Sequence, residues 1–554
     1  MLIWLPFGFP LLGPIAWLAP LGWLWLIRCE HLPGNRPRLA IWLAGCTFWL
    51  CMLEGIRMAH WFNLFGWLVL AAYLALYPFL FVLLTRHAVH AWKWSLLIAA
   101  PLVWMGLELA RGHLVTGFAM GMLAHTQFDY PHVIQLADVG GAYLVSGAMM
   151  LGSACLARML PWGAQRFSWW PLLPLLGILS ITLGYGQYRL TTAPQPSPDD
   201  RPLRVALLQE VVDTRFEFNP QRNLETFELY FAAARRARET QPELDLILWP
   251  ESSFTENQPD LLPQEPLVAP PEFGVSEAEF RERVLARTAG FRQKVEQTSQ
   301  ILNRLWRDGA FRELQISQLV GTETVEFGSF APRYYNSALL INPHGEVVER
   351  YYKLHPVMFG EYLPFGDMFP IIYRYAPMSH GLSRGAGARS MDVAGMRLAP
   401  SICFESSLPH LIRRQVRQLK DAGERPDVLV NLAHDGWFYG KTILDLQLAG
   451  AVFRAVELRL PMLVAANAGI SAWIDGSGRL LARGPRRGPT ILFADVHRDG
   501  RPSVYERYGD WPAFLCLLGC IPLLLDSAGC RRWFGKLSSR LLPQRKDADR
   551  NENP

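Results

Sequence analysis

Among the eight cysteines of this chain, Cys403 is set apart by its neighbours. It ends the apolar run Met396–Cys403 and precedes Phe404, Glu405, Ser406 and Ser407, which lead into a helical stretch. A turn from strand to helix exposes a nucleophile, and the aligned N–H groups of a helix start favour its thiolate. A thiol with an ordinary pKa near 8.5 is mostly protonated at neutral pH, so a base is still required. Glu251 is a candidate, because Trp249, Pro250 and Glu251 close another short apolar run. Lys353, in Tyr351-Tyr352-Lys353, is a second partner, since an ammonium stabilises both a thiolate and a developing oxyanion. Spacing alone does not bring the three together, and a lone thiol is also a small buried hydrophobe.

The elements that must position them alternate. Val205–Leu208, Leu246–Trp249, Leu398–Cys403, Val428–Leu432 and Met462–Ala466 are short apolar runs suited to buried strands. Helical stretches lie between them at 221–239, 408–420 and 444–459, a pattern that favours a sheet covered by helices. From 255 to 312 the chain reads as an insertion. Ser276 opens a helix with Glu279 placed for a capping box. Phe280, Val284, Phe291, Val295, Leu302 and Trp306 then form one apolar stripe, for a helix packed on the domain or an arm or lid near the membrane.

Residues 1–190 hold only 15 charged residues, about 8%, against 19% for the whole chain. Apolar runs near 11–27, 39–56, 64–85, 94–110, 135–157 and 168–187, with a last one at 511–526, approach the roughly 20 residues that cross about 30 Å of hydrocarbon. The other seven cysteines, Cys29, Cys46, Cys51, Cys155, Cys516, Cys520 and Cys530, lie in or beside these runs. Alternate loops carry Arg28, Arg36 and Arg38, then Arg86 and Lys93, then Arg158 and Arg166, and the tail adds six more basic residues from Arg531 to Lys546. Basic loops stay cytoplasmic, so the segment between the sixth and seventh spans belongs on the far side of the membrane. The division expected is membrane helices over 1–190, a linker at 191–202, a catalytic domain at 203–508, a final helix at 509–530 and a basic cytoplasmic tail at 531–554. A net charge of +5 on 554 residues is too small to argue for nucleic acid.

With these residues in place, a family is recognisable. Glu251 in LILWPESS, Lys353 in ERYYKLHP and Cys403 in SICFES resemble the Glu-Lys-Cys set of the nitrilase, or carbon–nitrogen hydrolase, superfamily, in its order and approximate spacing. NLAHDGWF (431–438) and NAGISAWIDGSG (467–478) extend the likeness. ELARGHLVTGF (108–118), FGEYLPFG (359–366) and YERYGDWP (505–512) resemble segments of the apolipoprotein N-acyltransferase family. The resemblance implies a polytopic helical membrane bundle carrying an αββα sandwich on the periplasmic side of a bacterial inner membrane. It implies two steps, in which an acyl chain leaves a phospholipid, is held as a thioester and passes to the α-amino group of the S-diacylglyceryl cysteine that begins an apolipoprotein. Cys403 is then the nucleophile, Glu251 the general base and Lys353 the oxyanion stabiliser, with Glu361 supporting the site and Glu405 anchoring its hydrogen bonds. Neither a metal nor another cofactor is implied, and a monomer is expected.

The chain also departs from the family. Phe404 stands where many members have Tyr, and Ala433-His434-Asp435-Gly436-Trp437-Phe438 replaces the usual Ser-Asn-Asp-Ala-Trp-Phe. Members commonly have a further span ahead of the one at 11–27. His434 and His355 read as structural, and Glu108 with Arg111 as an ion pair at a helix end or a lipid-headgroup contact. A membrane-tethered amidase that passes its thioester to water, or a non-catalytic membrane scaffold, are the rival readings.

Overall fold

In a computed structural model of the chain, the described residues are 5–527 apart from 162–165, 196–199, 216–218, 308, 367, 376–377 and 379. The basic tail at 531–554 and Cys530 lie outside them.

The domain between the sixth and last apolar helices is two sheets face to face. One runs in the order Thr490–Val496, Leu203–Gln209, Leu246–Leu248, Ser317–Phe327, Arg333–Ile341, Val347–Tyr352. The other runs Leu480–Arg483, Ala472–Ile474, Met462–Asn467, Val428–His434, Met396–Ile402, Met391–Val393. Strand alternation assigns each side chain to a layer. Val205 and Leu207 point between the sheets, where they meet Leu398, Ile402, Val430 and Leu432. Ala206 and Leu208 point outward, under Tyr230, Ala234, Phe291 and Val295 of the helices Pro220–Thr240 and Glu277–Asn303. The outer face of the second sheet is covered by Pro409–Asp421 and Ile443–Leu458, completing an αββα sandwich.

The helix after the acidic stretch forms with its cap, the Ser276 hydroxyl accepting from the Glu279 N–H at 3.3 Å. Its stripe is ordinary packing. Phe280 and Val284 bury against Leu261 and Phe327, and Phe291, Val295 and Leu302 against the first sheet. Trp306 departs from the expected stripe. The helix ends at Asn303, and Trp306 lies in the hairpin Arg304–Arg307/Ala310–Glu313, 61% exposed against Phe311. The β pairing of 304–307 breaks the helical period that carried the extrapolation.

The helices Pro10–Trp17 with Leu21–Arg28, Pro37–Met52, Asn63–Leu74 with Leu76–His90, Leu96–His113, Ala137–Met159, Leu172–Thr191 and Trp511–Ser527 coincide with the apolar runs of the sequence. Among the described residues three stretches, Leu11–Arg28, Asn63–His90 and Ala137–Met159, are long and apolar enough to cross a membrane, and Pro37–Met52 and Trp511–Ser527 are shorter apolar helices. Their outward side chains, such as Phe65, Val69, Ile98, Leu173, Ile181 and Leu524, are exposed and apolar, a surface that marks contact with lipid or protein rather than water.

Buried charges join the sandwich to these helices. Arg459 donates to Asp138 at 2.6 Å and 3.0 Å, to Gln135 at 2.7 Å and to the Gly476 carbonyl at 3.1 Å. Arg454 grips Glu457 through two bonds of 2.7 Å and 2.8 Å, and Glu457 accepts the Ala142 N–H at 2.9 Å. Gly141 allows this approach: its φ is +72°, and a Cβ there would stand 2.7 Å from the Tyr505 ring.

Glu108 and Arg111 do not form the ion pair that their spacing suggested; none joins them among the described residues. Glu108 accepts the Leu123 N–H at 2.9 Å, while Arg111 lies 5.1 Å from the Trp49 ring centroid. Both line an apolar cavity of about 620 Å³ between the helices.

Candidate active site

Cys403 sits where the strand Met396–Ile402 gives way to the short 3₁₀ turn Cys403–Ser407. Its φ is +53°, a left-handed conformation that a side chain adopts at a cost of about 1–3 kcal/mol. Ser252, directly after Glu251, has a φ of +58°. The Cys403 carbonyl accepts from Asn431 at 3.2 Å and from the Ser406 hydroxyl at 3.1 Å, which holds the turn in this shape.

Glu405 secures the same turn from beneath. Fully buried, its carboxylate accepts the N–H groups of Ile402 at 2.7 Å, Leu354 at 2.6 Å and His355 at 3.0 Å, and the Tyr351 hydroxyl at 2.7 Å. One side chain thus ties the nucleophile turn to the loop that carries Lys353. Burial pushes this carboxyl upward, and the donors from Ile402 and Tyr351 pull against that push.

Glu251 follows the strand Leu246–Leu248, and Gly321 lets its backbone come close: a Cβ on Gly321 would meet the Pro250 carbonyl oxygen at 2.4 Å. Lys353 is buried, its N–H bound to the Asn336 carbonyl at 2.9 Å. Its ammonium donates to Glu251 at 3.2 Å and to Glu361 at 2.6 Å. Glu361 also accepts the Val357 N–H at 2.7 Å, so it is fixed by its own loop. The Asn336 amide donates to Glu251 and, at 3.4 Å, to Glu361. The second Glu251 oxygen, Oε2, is buried without a hydrogen-bond partner among the described residues, as is Asn336 Oδ1.

The electrostatics follow from this packing. Burial and the Glu251 carboxylate push the Cys403 thiol well above its ordinary value, and Lys353 only partly opposes them. Burial alone would lower the Lys353 ammonium, but Glu251, Glu361 and Cys403 together hold it well above its ordinary value. The resting pair is therefore a neutral thiol and a charged ammonium, set beside the Glu251 and Glu361 side chains. That arrangement can pass the thiol proton to a carboxylate as sulfur attacks a carbonyl carbon, with a cation ready for the oxyanion.

The structure brings Glu251, Lys353, Glu361 and Cys403 into one electrostatically coupled group, with Glu405 behind it. His434 is held by Asn467 at 3.1 Å and Thr214 at 3.4 Å, and burial lowers it. His355 is pushed down to about 4 by burial and by Arg384 and Lys353. Sequence reasoning missed Asn336, which orients both carboxylates, and Asp435, which burial and Glu251 push up to about 8. Asn336 lies mid-strand in RYYNSALLI, where an amide among apolar neighbours was the one available signal.

A carbon–nitrogen hydrolase family model matches residues 204–504, more than half of the chain, and the two-sheet sandwich defines a protein of that class. The N-terminal domain model of apolipoprotein N-acyltransferase matches residues 1–155. The apolipoprotein N-acyltransferase of Geobacter metallireducens is 31% identical over 94% of this chain and 92% of that protein. The apolipoprotein N-acyltransferase of Rhodopirellula baltica is 30% identical over 93% of each. The chain belongs to the apolipoprotein N-acyltransferase family and is an enzyme. Among solved structures, an amidase from Nesterenkonia sp. is 17% identical, covers 58% of this chain and 98% of its own, and superposes with a TM-score of 0.36.

Proposed function

We propose that the chain acylates the α-amino group of the S-diacylglyceryl cysteine of apolipoproteins, taking the acyl group from a membrane phospholipid through a thioester on Cys403. The observation that carries this reading is the convergence of Lys353, Glu251 and Glu361 beside a thiol held on a strained turn.

In the first step Glu251 accepts the thiol proton through Oε2 as Sγ bonds to the ester carbonyl carbon. Lys353 faces the oxyanion. The bond from carbonyl carbon to glycerol oxygen breaks, the glycerol oxygen takes the proton from Glu251, and a lysophospholipid leaves. In the second step the neutral amine attacks the thioester. The new N–C bond forms, the C–S bond breaks, and the amine proton returns through Glu251 to sulfur. The acceptor amine, with an ordinary pKa near 7.7–8.0, has a useful neutral fraction at pH 7 without a strong base.

In this reading the apolar helices form a seven-span bundle, the domain at 203–508 lies on the periplasmic side after the linker 191–202, and the basic tail at 531–554 is cytoplasmic. The exposed apolar belt and the placement of Lys and Arg support it. A cysteine-free protein with a single new cysteine at Gln258 should label with an impermeant reagent from outside, and one at Ser538 only after permeabilisation; labelling of both from one side contradicts the orientation.

The chemistry is tested with phospholipid carrying a labelled acyl chain and a diacylated lipopeptide. Labelled triacylated lipopeptide is expected. Release of labelled free acid at the same rate with and without lipopeptide would make the enzyme a hydrolase instead.

A further inference from the structure

A second cavity, of about 320 Å³, opens on the sandwich next to the catalytic group, with Ser252 and Asn336 in its lining. Glu323 lines it. This residue lies directly opposite Asn336 in the antiparallel pair Ser317–Phe327/Arg333–Ile341, so the two side chains share a face about 4.5–5.5 Å apart at Cβ. The other two acidic groups of the lining are matched, Asp213 by Arg487 at 2.6 Å and Glu256 by Lys294 at 3.6 Å. Glu323 makes no hydrogen bond or ion pair among the described residues. Burial pushes its carboxyl upward with no neighbouring cation to oppose it. Beside it, Asn336 Oδ1 is a buried acceptor that also lacks a partner among the described residues. A half-buried, unpaired carboxylate and a buried acceptor on one cavity wall suit a ligand that brings N–H donors and positive charge.

We propose that Glu323 and Asn336 Oδ1 form a subsite for a primary ammonium group of a substrate. The inference rests on the acyl-transfer reading above, which offers two such groups: the headgroup of an ethanolamine phospholipid donor and the α-ammonium of the acceptor. Arg215 and Arg222 line the same cavity and suit the phosphate that accompanies the first of these. An ammonium seated on Glu323 restores the charge balance that burial disturbs. It also holds its substrate one side chain away from Asn336, and so two from Glu251.

The test uses the full-length enzyme in lipid nanodiscs and times its two half-reactions separately. Acyl-enzyme formation is followed by intact-protein mass with phosphatidylethanolamine or phosphatidylglycerol as donor. Aminolysis is followed from preformed acyl-enzyme with a diacylated lipopeptide. A lost charge-assisted hydrogen bond costs about 10- to 100-fold. For Glu323→Gln the ratio of kcat/KM for the ethanolamine lipid over the glycerol lipid should fall by about that factor, with Glu323→Asp partly restoring it. If the loss falls instead on KM for the lipopeptide in aminolysis, the ammonium is the acceptor's and the subsite stands. An unchanged ratio with unchanged aminolysis overturns the subsite, as does an equal loss with both donors and in both steps. Failure of the wild-type protein to form an acyl-enzyme with either donor overturns the underlying reading, a result distinct from any of these.

Discussion

Two clusters of buried charge lie in this molecule, and they are built to different ends. Where the sandwich meets the helices, every guanidinium nitrogen of Arg459 and Arg454 has an acceptor, and Asp138 and Glu457 are held by several donors. At the Cys403 site one ammonium serves two carboxylates, and among the described residues Glu251 Oε2 and Asn336 Oδ1 are left without partners. Burying an ion is tolerable when its bonds are complete. An acceptor left open carries a desolvation cost that a substrate or a moving proton can relieve. The difference teaches that completeness of bonding, not burial or charge, separates the cluster that docks from the one that reacts.

That contrast predicts different failures. Lys353→Met removes the cation facing the oxyanion, so acyl transfer should fall about 10²–10³-fold; near wild-type turnover would show that the ammonium has another role. Asp138→Asn leaves Arg459 buried without its counter-charge and should lower unfolding stability by about 3–5 kcal/mol. Transfer per folded molecule should change little, and denaturation in detergent with activity measured on the surviving fraction separates the two effects. Glu405→Gln turns an N–H pair toward backbone donors that needed an acceptor, costing about 1–3 kcal/mol. Turnover should fall through loss of the turn's shape, visible as slower alkylation of Cys403.

Asp435 should show in the pH dependence of stability rather than in turnover. Its folded pKa, about 8, lies above the ordinary carboxylate value of 3.8. Between those values the folded state keeps a proton that the unfolded state has lost, so this group makes stability fall as pH rises from about 4 to about 8. Asn copies the protonated form, so Asp435→Asn should flatten that decline while leaving transfer at pH 6 close to wild type. An unchanged slope would remove Asp435 from the account.

Much of the sandwich was legible because its central strands are largely apolar on both faces: the runs Val205–Leu208, Leu246–Trp249, Leu398–Cys403, Val428–Leu432 and Met462–Ala466 fall on the strands 203–209, 246–248, 396–402, 428–434 and 462–467. The strands at 317–327, 333–341 and 347–352 were missed, because Thr322, Glu323, Thr324, Asn336 and Glu349 interrupt the run where one edge opens onto polar space. Cys403 and Glu251 stood out in the sequence, each closing an apolar run, whereas Lys353 stood out only through its local motif. Asn336 and Glu323 did not, because their meaning lies in cross-strand register, which a single sequence does not display. Trp306 failed for the converse reason: helical spacing continued on paper past the residue where the chain turned into a hairpin.

The most direct test of the central claim is the mass of the protein itself. Purified enzyme incubated with phospholipid alone should gain the mass of one acyl group, and digestion should place it on Cys403. Adding diacylated lipopeptide should discharge it, and Cys403→Ala should never acquire it. An acyl group on any other residue, or one that persists in Cys403→Ala, would contradict the account.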